Sequence, residues 1–456
     1  MQPLVILNTV GLTSRLLPLA PRLHALAQTQ WSRPLSEIYP AVTCSAQASM
    51  LTGKLPREHG IVGNGWLFRD TMEVRFWQQS NHLMQAEPVY ATLRDKGIRC
   101  AKLFWWFNQG AAVDLAVTPK PHYGADGSKA FDVQTYPESW ASRLTGRLGR
   151  FPFPSFWGPM AGLPCTQWIA HCAAEILTAH EEAPHLTLVY LPHLDYDPQR
   201  LGPRATNWAK IVGELDAACQ PVLDAAKKIG AAVWVVNEYT HVQVDRPVYL
   251  NRILRQAGLL SARDGPFGEQ LETYASTAFA VCDHQVAHVY LNVRNAMERV
   301  REVVTSQPGV DRVYTGEERA EIGLDHARAG DLIALAKPNA WFAYPFWLDD
   351  RRAPDYARTV DIHRKPGYDP CELFFDPNRL WPKARAIGKV MMKKLGLRTL
   401  VDVIPLDAGL VKGSHGLPVN DPLDKPVFIA SGPQSDEAVI PQTSIKDAIL
   451  RHFNLA

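Results

Sequence analysis

The stretch Tyr39–Gly65, YPAVTCSAQASMLTGKLPREHGIVGNG, decides how this chain is read. Pro40-Ala41-Val42 leads into Thr43, and the run from Ser45 to Leu51 reads as a helix start. Thr43 therefore falls at a helix N-terminus, where unpaired backbone N–H groups and the helix dipole favour an anion. A hydroxyl there is placed to attack or hold a phosphate-like group. A lone Thr before a helix is most often only an N-cap, but the context here is richer. Asn64 lies in HGIVGNG, whose glycines permit close backbone approach to a ligand, and its amide would donate to a phosphoryl oxygen. Cys44 is a rival nucleophile, but a thiol needs a His base and a lowered pKa. The sequence pairs it with neither, so Thr43 ranks above it.

Working outward, Leu4 to Leu7 is a short apolar run that ends in Asn8. Leu186 to Leu191 repeats the pattern and is followed by His193-Leu194-Asp195. Ala231 to Val236 ends in Asn237-Glu238-Tyr239, and Val427 to Ala430 ends in Ser431-Gly432-Pro433. Helical patterns lie between them, as at Trp168 to His180 and Asn207 to Lys228. Strands alternating with helices predict an α/β fold with a mostly parallel sheet and helices on both faces. Ligands bind such sheets beyond the carboxyl ends of the strands, so polar residues at several strand ends form one coherent signal.

The length of 456 residues suits one large domain spanning 1–456. Two aromatic- and proline-rich stretches, 104–165 and 283–400, read as inserted excursions or a cap. Their runs FWWFN and WFAYPFW serve either as an apolar wall for the substrate's organic group or as packing. Apolar residues make up 46% and charged residues 21%, as in ordinary globular proteins. A net charge of +2 without a Lys/Arg block offers no electrostatic case for nucleic acid. The N-terminus lacks a basic leader pattern, and no apolar run approaches the ~18 residues of a membrane span. The expectation is a soluble, cytoplasmic protein with no membrane partner. The seven cysteines form no C-x-x-C pair and read as reduced thiols.

Three further constellations carry possible chemistry. HLDYDPQRLGP, His193 to Pro203, clusters His193, Asp195 and Asp197 just past a strand, though a polar loop with a helix cap explains it as well. GSHG, Gly413 to Gly416, sets His415 between glycines, a good shape for a metal ligand or phosphate contact. His284 and His288 sit in an apolar strand-like run and read as structural, while His363, Asp369, Cys371 and Glu372 have no assigned role.

These ordered motifs, from Leu4 to Pro433, resemble the alkaline phosphatase superfamily, and most nearly its type I phosphodiesterase/nucleotide pyrophosphatase branch. The resemblance makes Thr43 the nucleophile and a metal ligand, and gives Asn64 the contact to the phosphoryl oxygen. It assigns metal ligation to seven positions. Thr43, Asp195 and His415 match. Asn8 stands where the family has Asp, Gln199 where it has His, Glu238 where it has Asp and Tyr239 where it has His. The family's activity implies a phosphodiester- or pyrophosphate-type hydrolase of a small phosphoester. Its cofactor would be one or two divalent ions, zinc by resemblance, with manganese, magnesium or calcium suited to the oxygen-rich set. His193, Asp197 and His241 lie near the lost ligands and would partly replace them. A phosphotransferase with a non-water acceptor, or a phosphoester-binding protein without turnover, are the alternatives. Substrate identity and oligomeric state stay open.

Overall fold

The structure is a computed structural model describing residues 1–125, 129–179, 183–397 and 399–455, with the side chains of 393 and 394 outside the description. A nine-stranded sheet forms its centre, in the order Ile440–Pro441, Trp31–Ser36, Val427–Ala430, Ala232–Val236, Leu4–Asn8, Leu186–Tyr190, Cys100–Leu103, Leu115–Pro119, Val133–Tyr136. Leu4–Asn8 runs parallel to both neighbours, pairing Asn8 with Tyr190 on one side and Val236 on the other. Leu186–Tyr190, Cys100–Leu103 and Leu115–Pro119 continue the parallel array. The fully buried residues of these central strands explain their unbroken apolar runs. The expected α/β architecture with a mostly parallel sheet is what forms.

Direction departs from expectation at one strand. Val427–Ala430 runs antiparallel to Ala232–Val236. Ser431-Gly432-Pro433 therefore lies at the opposite end of the sheet from Asn8, and the apolar pattern alone carried no sign of direction. The helix expected over Trp168 to His180 spans Leu163–Leu177, and His180 lies outside the described residues. The next helix spans Trp208–Lys228 and is capped by the Asn207 side chain, which accepts from the Lys210 N–H at 3.1 Å.

The two excursions differ in kind. Within 104–165, Leu115–Pro119 and Val133–Tyr136 pair with each other and complete one edge of the central sheet. Phe104 packs against Phe151, Phe156 and Trp168 there. The later excursion holds its own four-stranded antiparallel sheet, in the order Ala278–Asp283, Val286–Leu291, Leu332–Ala336, Val310–Thr315. It opens earlier than residue 283, and its apolar cluster runs from Val248 to Tyr368 and also takes in Leu67 and Phe76. Phe342, Phe346 and Trp347 of WFAYPFW belong to that cluster, which makes the run packing and not a substrate wall.

Candidate active site

The helix that begins at Thr43 spans Thr43–Thr52 and ends on Gly53 in the left-handed region, φ 69°. Val42 is its N-cap and makes no side-chain cap hydrogen bond, so the Thr43 hydroxyl is not used as a cap. Instead Thr43 Oγ1 lies 3.1 Å from the Tyr239 hydroxyl. That phenol donates to Asp195 Oδ1 at 3.2 Å, and His241 Nε2 meets the same oxygen at 3.0 Å. The loop that leads into Thr43 is tied to GSHG from both directions. The Ala41 N–H donates to the Gly416 carbonyl at 2.9 Å, and the Ala41 carbonyl accepts from His415 Nδ1 at 2.9 Å.

That last bond orients His415. Burial, with the neighbouring His284 and His241 imidazoles, pushes its pKa well below the ordinary value and keeps the ring neutral. With Nδ1–H spent on Ala41, Nε2 holds the lone pair and lies 3.9 Å from Asp195 Oδ1. The Tyr239 ring stacks on His415 at 3.5 Å and 4°, which fixes the imidazole plane. Asp195 is buried. Burial alone would raise its carboxyl, but the His241 bond and the surrounding imidazoles prevail, so the group is held below its usual range as a carboxylate.

Asp195, His241 and His415 each offer a ligand atom within 4.8 Å of the others, and all three are buried. Two imidazoles and a carboxylate are a set suited to zinc or a similar borderline divalent ion. His415 also has the carbonyl-anchored second nitrogen typical of metal-ligating histidines. This corner fits a divalent cation. It is richer in nitrogen than the oxygen-dominated set expected from sequence, because His241 has swung in. Of the three nearby stand-ins, only His241 does so. His193 pairs with Glu214 at 3.0 Å and Asp197 with Arg200 at 3.0 Å. Gln199 reaches the site but is committed elsewhere: its amide donates to the Asp195 carbonyl at 3.0 Å and its oxygen accepts from Tyr368 at 2.7 Å.

The other corner has different chemistry. Asn8 Nδ2 and Gln47 Nε2 both donate to Glu238 Oε1, each at 2.6 Å. Burial pushes the Glu238 carboxyl up to about 8, against those two hydrogen bonds. Two amide N–H groups on Glu238 Oε1, with the Tyr239 phenol turned to Thr43 and Asp195, make a hydrogen-bonded network on that oxygen. Glu238 Oε2 and Asn8 Oδ1, two of the oxygens at positions that the resemblance gave to metal, are buried with no partner among the described residues.

Asn64 lies beside Thr43 and is held on three sides. Its Oδ1 accepts from the Cys44 N–H at 3.0 Å, its backbone N–H donates to Asp283 Oδ2 at 2.7 Å and its Nδ2 to Asp283 Oδ1 at 3.1 Å. Cys44 itself is buried, and burial drives its thiol well above the ordinary value, so it is not a thiolate nucleophile.

Sequence reasoning missed three groups. Gln47 is one helical turn after Thr43, hence on the same face, and that i, i+4 spacing was legible. His284 was read as part of a strand, but it occupies the hairpin turn between Asp283 and Val286 with φ 59°. Its Nδ1 meets Asp283 Oδ1 at 2.7 Å, and its ring lies between Tyr368 at 3.7 Å and His415 at 3.8 Å. Its Nε2 is buried with no partner among the described residues, and burial lowers its pKa to about 3. Tyr368 is the third, with no sequence signal. His288 is structural as expected, bridging the Val62 carbonyl and the Gly330 N–H. Of the aromatic runs, Trp106 stands at the site edge: its backbone N–H donates to Gln47 Oε1 at 2.8 Å and its ring packs against Trp77 at 4.9 Å.

Solved structures share this fold. Murine ectonucleotide pyrophosphatase/phosphodiesterase 5 is similar over 100% of this chain and 96% of its own, with a TM-score of 0.58 and 14% identity. An inactive Thr-to-Ala form of that protein, in complex with AMP, gives 0.59 over the same shares at 14% identity. Phosphonoacetate hydrolase from Sinorhizobium meliloti 1021, in complex with phosphonoformate, gives 0.61 at 14% identity over 99% of this chain and 95% of its own. No curated protein matches in sequence. The family model for type I phosphodiesterase/nucleotide pyrophosphatase matches residues 4–369. The chain belongs to that family, hydrolases acting on phosphoric ester bonds.

Proposed function

We propose that this protein is a phosphodiester- or pyrophosphate-type hydrolase of a small phosphoester, with Thr43 as nucleophile and one divalent cation held by Asp195, His241 and His415. The observation that carries the reading is the continuous contact from Thr43 Oγ1 through the Tyr239 phenol to Asp195. Thr43 Oγ1 attacks phosphorus, forming a phosphothreonine as the bond to the leaving oxygen breaks. The Thr43 proton passes to the Tyr239 oxygen while the Tyr239 proton moves toward Asp195 Oδ1. Asn64 and the N-terminus of the Thr43–Thr52 helix hold charge developing on the phosphoryl oxygens. A bound cation at the Asp195 corner supplies Lewis-acid stabilisation beside them. The AMP complex of the inactive Thr-to-Ala murine relative supports a nucleotide-sized ester and a reacting Thr.

The test is Thr43→Ala assayed on bis(p-nitrophenyl) phosphate, with metal content measured on the same preparation. Loss of hydrolysis by about 10³-fold or more is expected. Full activity in the variant removes Thr43 from its role. The hydrogen-bonded Asn8–Glu238 corner favours one competing reading, a phosphoester-binding protein without turnover. Absence of bound metal, with no hydrolysis of mono- or diesters after adding zinc, manganese or magnesium, supports that reading instead. Transfer to added alcohols marks the phosphotransferase alternative.

A further inference from the structure

Between Tyr368 and His415, both at the site, the chain makes an excursion that contains the helix Pro382–Lys394. A helix on a water-soluble protein buries its apolar stripe and shows its charges to solvent. This one does the reverse. Lys389 turns inward to Asp402, which Arg385 also reaches at 3.5 Å while 45% exposed, and Ala386 packs against the cluster of Val403, Ile404 and Val411. Ile387, Met391 and Leu395, at i, i+4 and i+8, point outward at 62%, 60% and 78% exposure. Leu380 and Trp381 lead into the helix at 87% and 81% exposure. Residues 377–401 carry seven Lys and Arg and no Asp or Glu. Asp402, the acidic residue that follows, already serves Arg379, Arg385 and Lys389.

We propose that this helix seats the protein flat on an anionic lipid bilayer surface. An exposed apolar stripe with Trp at one end, in a segment of basic sequence, is the composition of an interfacial helix, which lowers its apolar side chains into the acyl boundary while cationic groups meet lipid phosphates and carboxylates. Charge selects the occupant. A second copy docked face to face about a two-fold axis sets these basic segments against each other, and like charges across an interface oppose association. The mode is peripheral, since among the described residues no helix is long and apolar enough to cross a membrane.

The experiment is co-sedimentation of the full chain with vesicles of phosphatidylcholine alone or mixed with phosphatidylserine, at low and high salt. Binding to the serine-containing vesicles is expected to exceed that to phosphatidylcholine by about tenfold or more and to fall in high salt. The triple variant Ile387→Glu, Met391→Glu, Leu395→Glu should lose that binding by a similar factor. Its circular dichroism and its turnover of a soluble ester should stay as in the parent, because all three side chains are exposed. Equal binding of parent and variant, or no binding to either vesicle, overturns the proposal. So does a parent dimer in sedimentation equilibrium that the triple variant dissolves, which would make the face a contact between copies.

Discussion

Replacing Glu238 by Gln tests whether the corner beside Asn8 is a hydrogen-bond network or a metal site. The Glu238 carboxyl is fully buried, and its pKa rises from 4.5 to about 8. Below pH 4.5 the carboxyl is protonated in both folded and unfolded chains and costs nothing. Between 4.5 and 8 the unfolded chain releases this proton while the folded chain retains it, so stability falls as pH rises and levels off above 8. The interval between 4.5 and about 8, at 1.36 kcal/mol per pH unit, amounts to about 5 kcal/mol of lost stability. Gln carries no such penalty. Its oxygen can accept the Asn8 and Gln47 amide bonds, and its NH₂ replaces Glu238 Oε2, which, like Asn8 Oδ1, is buried without a partner among the described residues. Glu238→Gln should therefore be close to the parent at about pH 5 and more stable by about 3–5 kcal/mol at about pH 9, measured by urea unfolding at each pH. If the Glu238→Gln variant is destabilised at both pH values, or if the substitution releases bound metal, Glu238 is an ionised ligand and the reasoning is wrong.

Tyr239→Phe keeps the ring on His415 but cuts the Thr43–Tyr239–Asp195 contact, so kcat for an aryl diester should drop about 10²-fold with KM within about twofold. A purely structural Tyr239 would instead change thermal stability and leave kcat per folded molecule intact. His241→Ala removes one of three ligand groups, and elemental analysis should show metal per chain falling well below that of the parent. Gly65→Ala places a Cβ at 2.3 Å from ring atoms of the buried Phe76, and should cost about 1–3 kcal/mol in urea unfolding, with any activity loss following from displaced Asn64.

Much of this site was legible because its signals are local. Thr43 and its helix, the glycines around Asn64, the strand ends at Asn8 and Asp195, and His415 between glycines each appear within a few residues. The buried apolar runs also told strand from helix, and their polar ends told which edge of the sheet to inspect. Local signals gave no direction for Val427–Ala430, since a buried strand reads the same in a parallel or antiparallel pairing. They also misread His284, whose apolar neighbours suggested strand while the chain turns there at positive φ.

The sequence alone determined the α/β class, the place of Thr43 at the start of its helix and which positions of the family's motifs had changed residue type. Only the tertiary structure decided what those changes do. Glu238 meets Asn8 across 230 residues and Gln47 across 191, and Tyr239 meets Thr43 across 196. Whether a buried carboxyl holds a cation or a proton depends on the charges and donors that folding brings to it and on the water that folding removes. The same distant packing swung His241 onto Asp195 and turned His193 away to Glu214, although both histidines lie near the lost ligands in the chain.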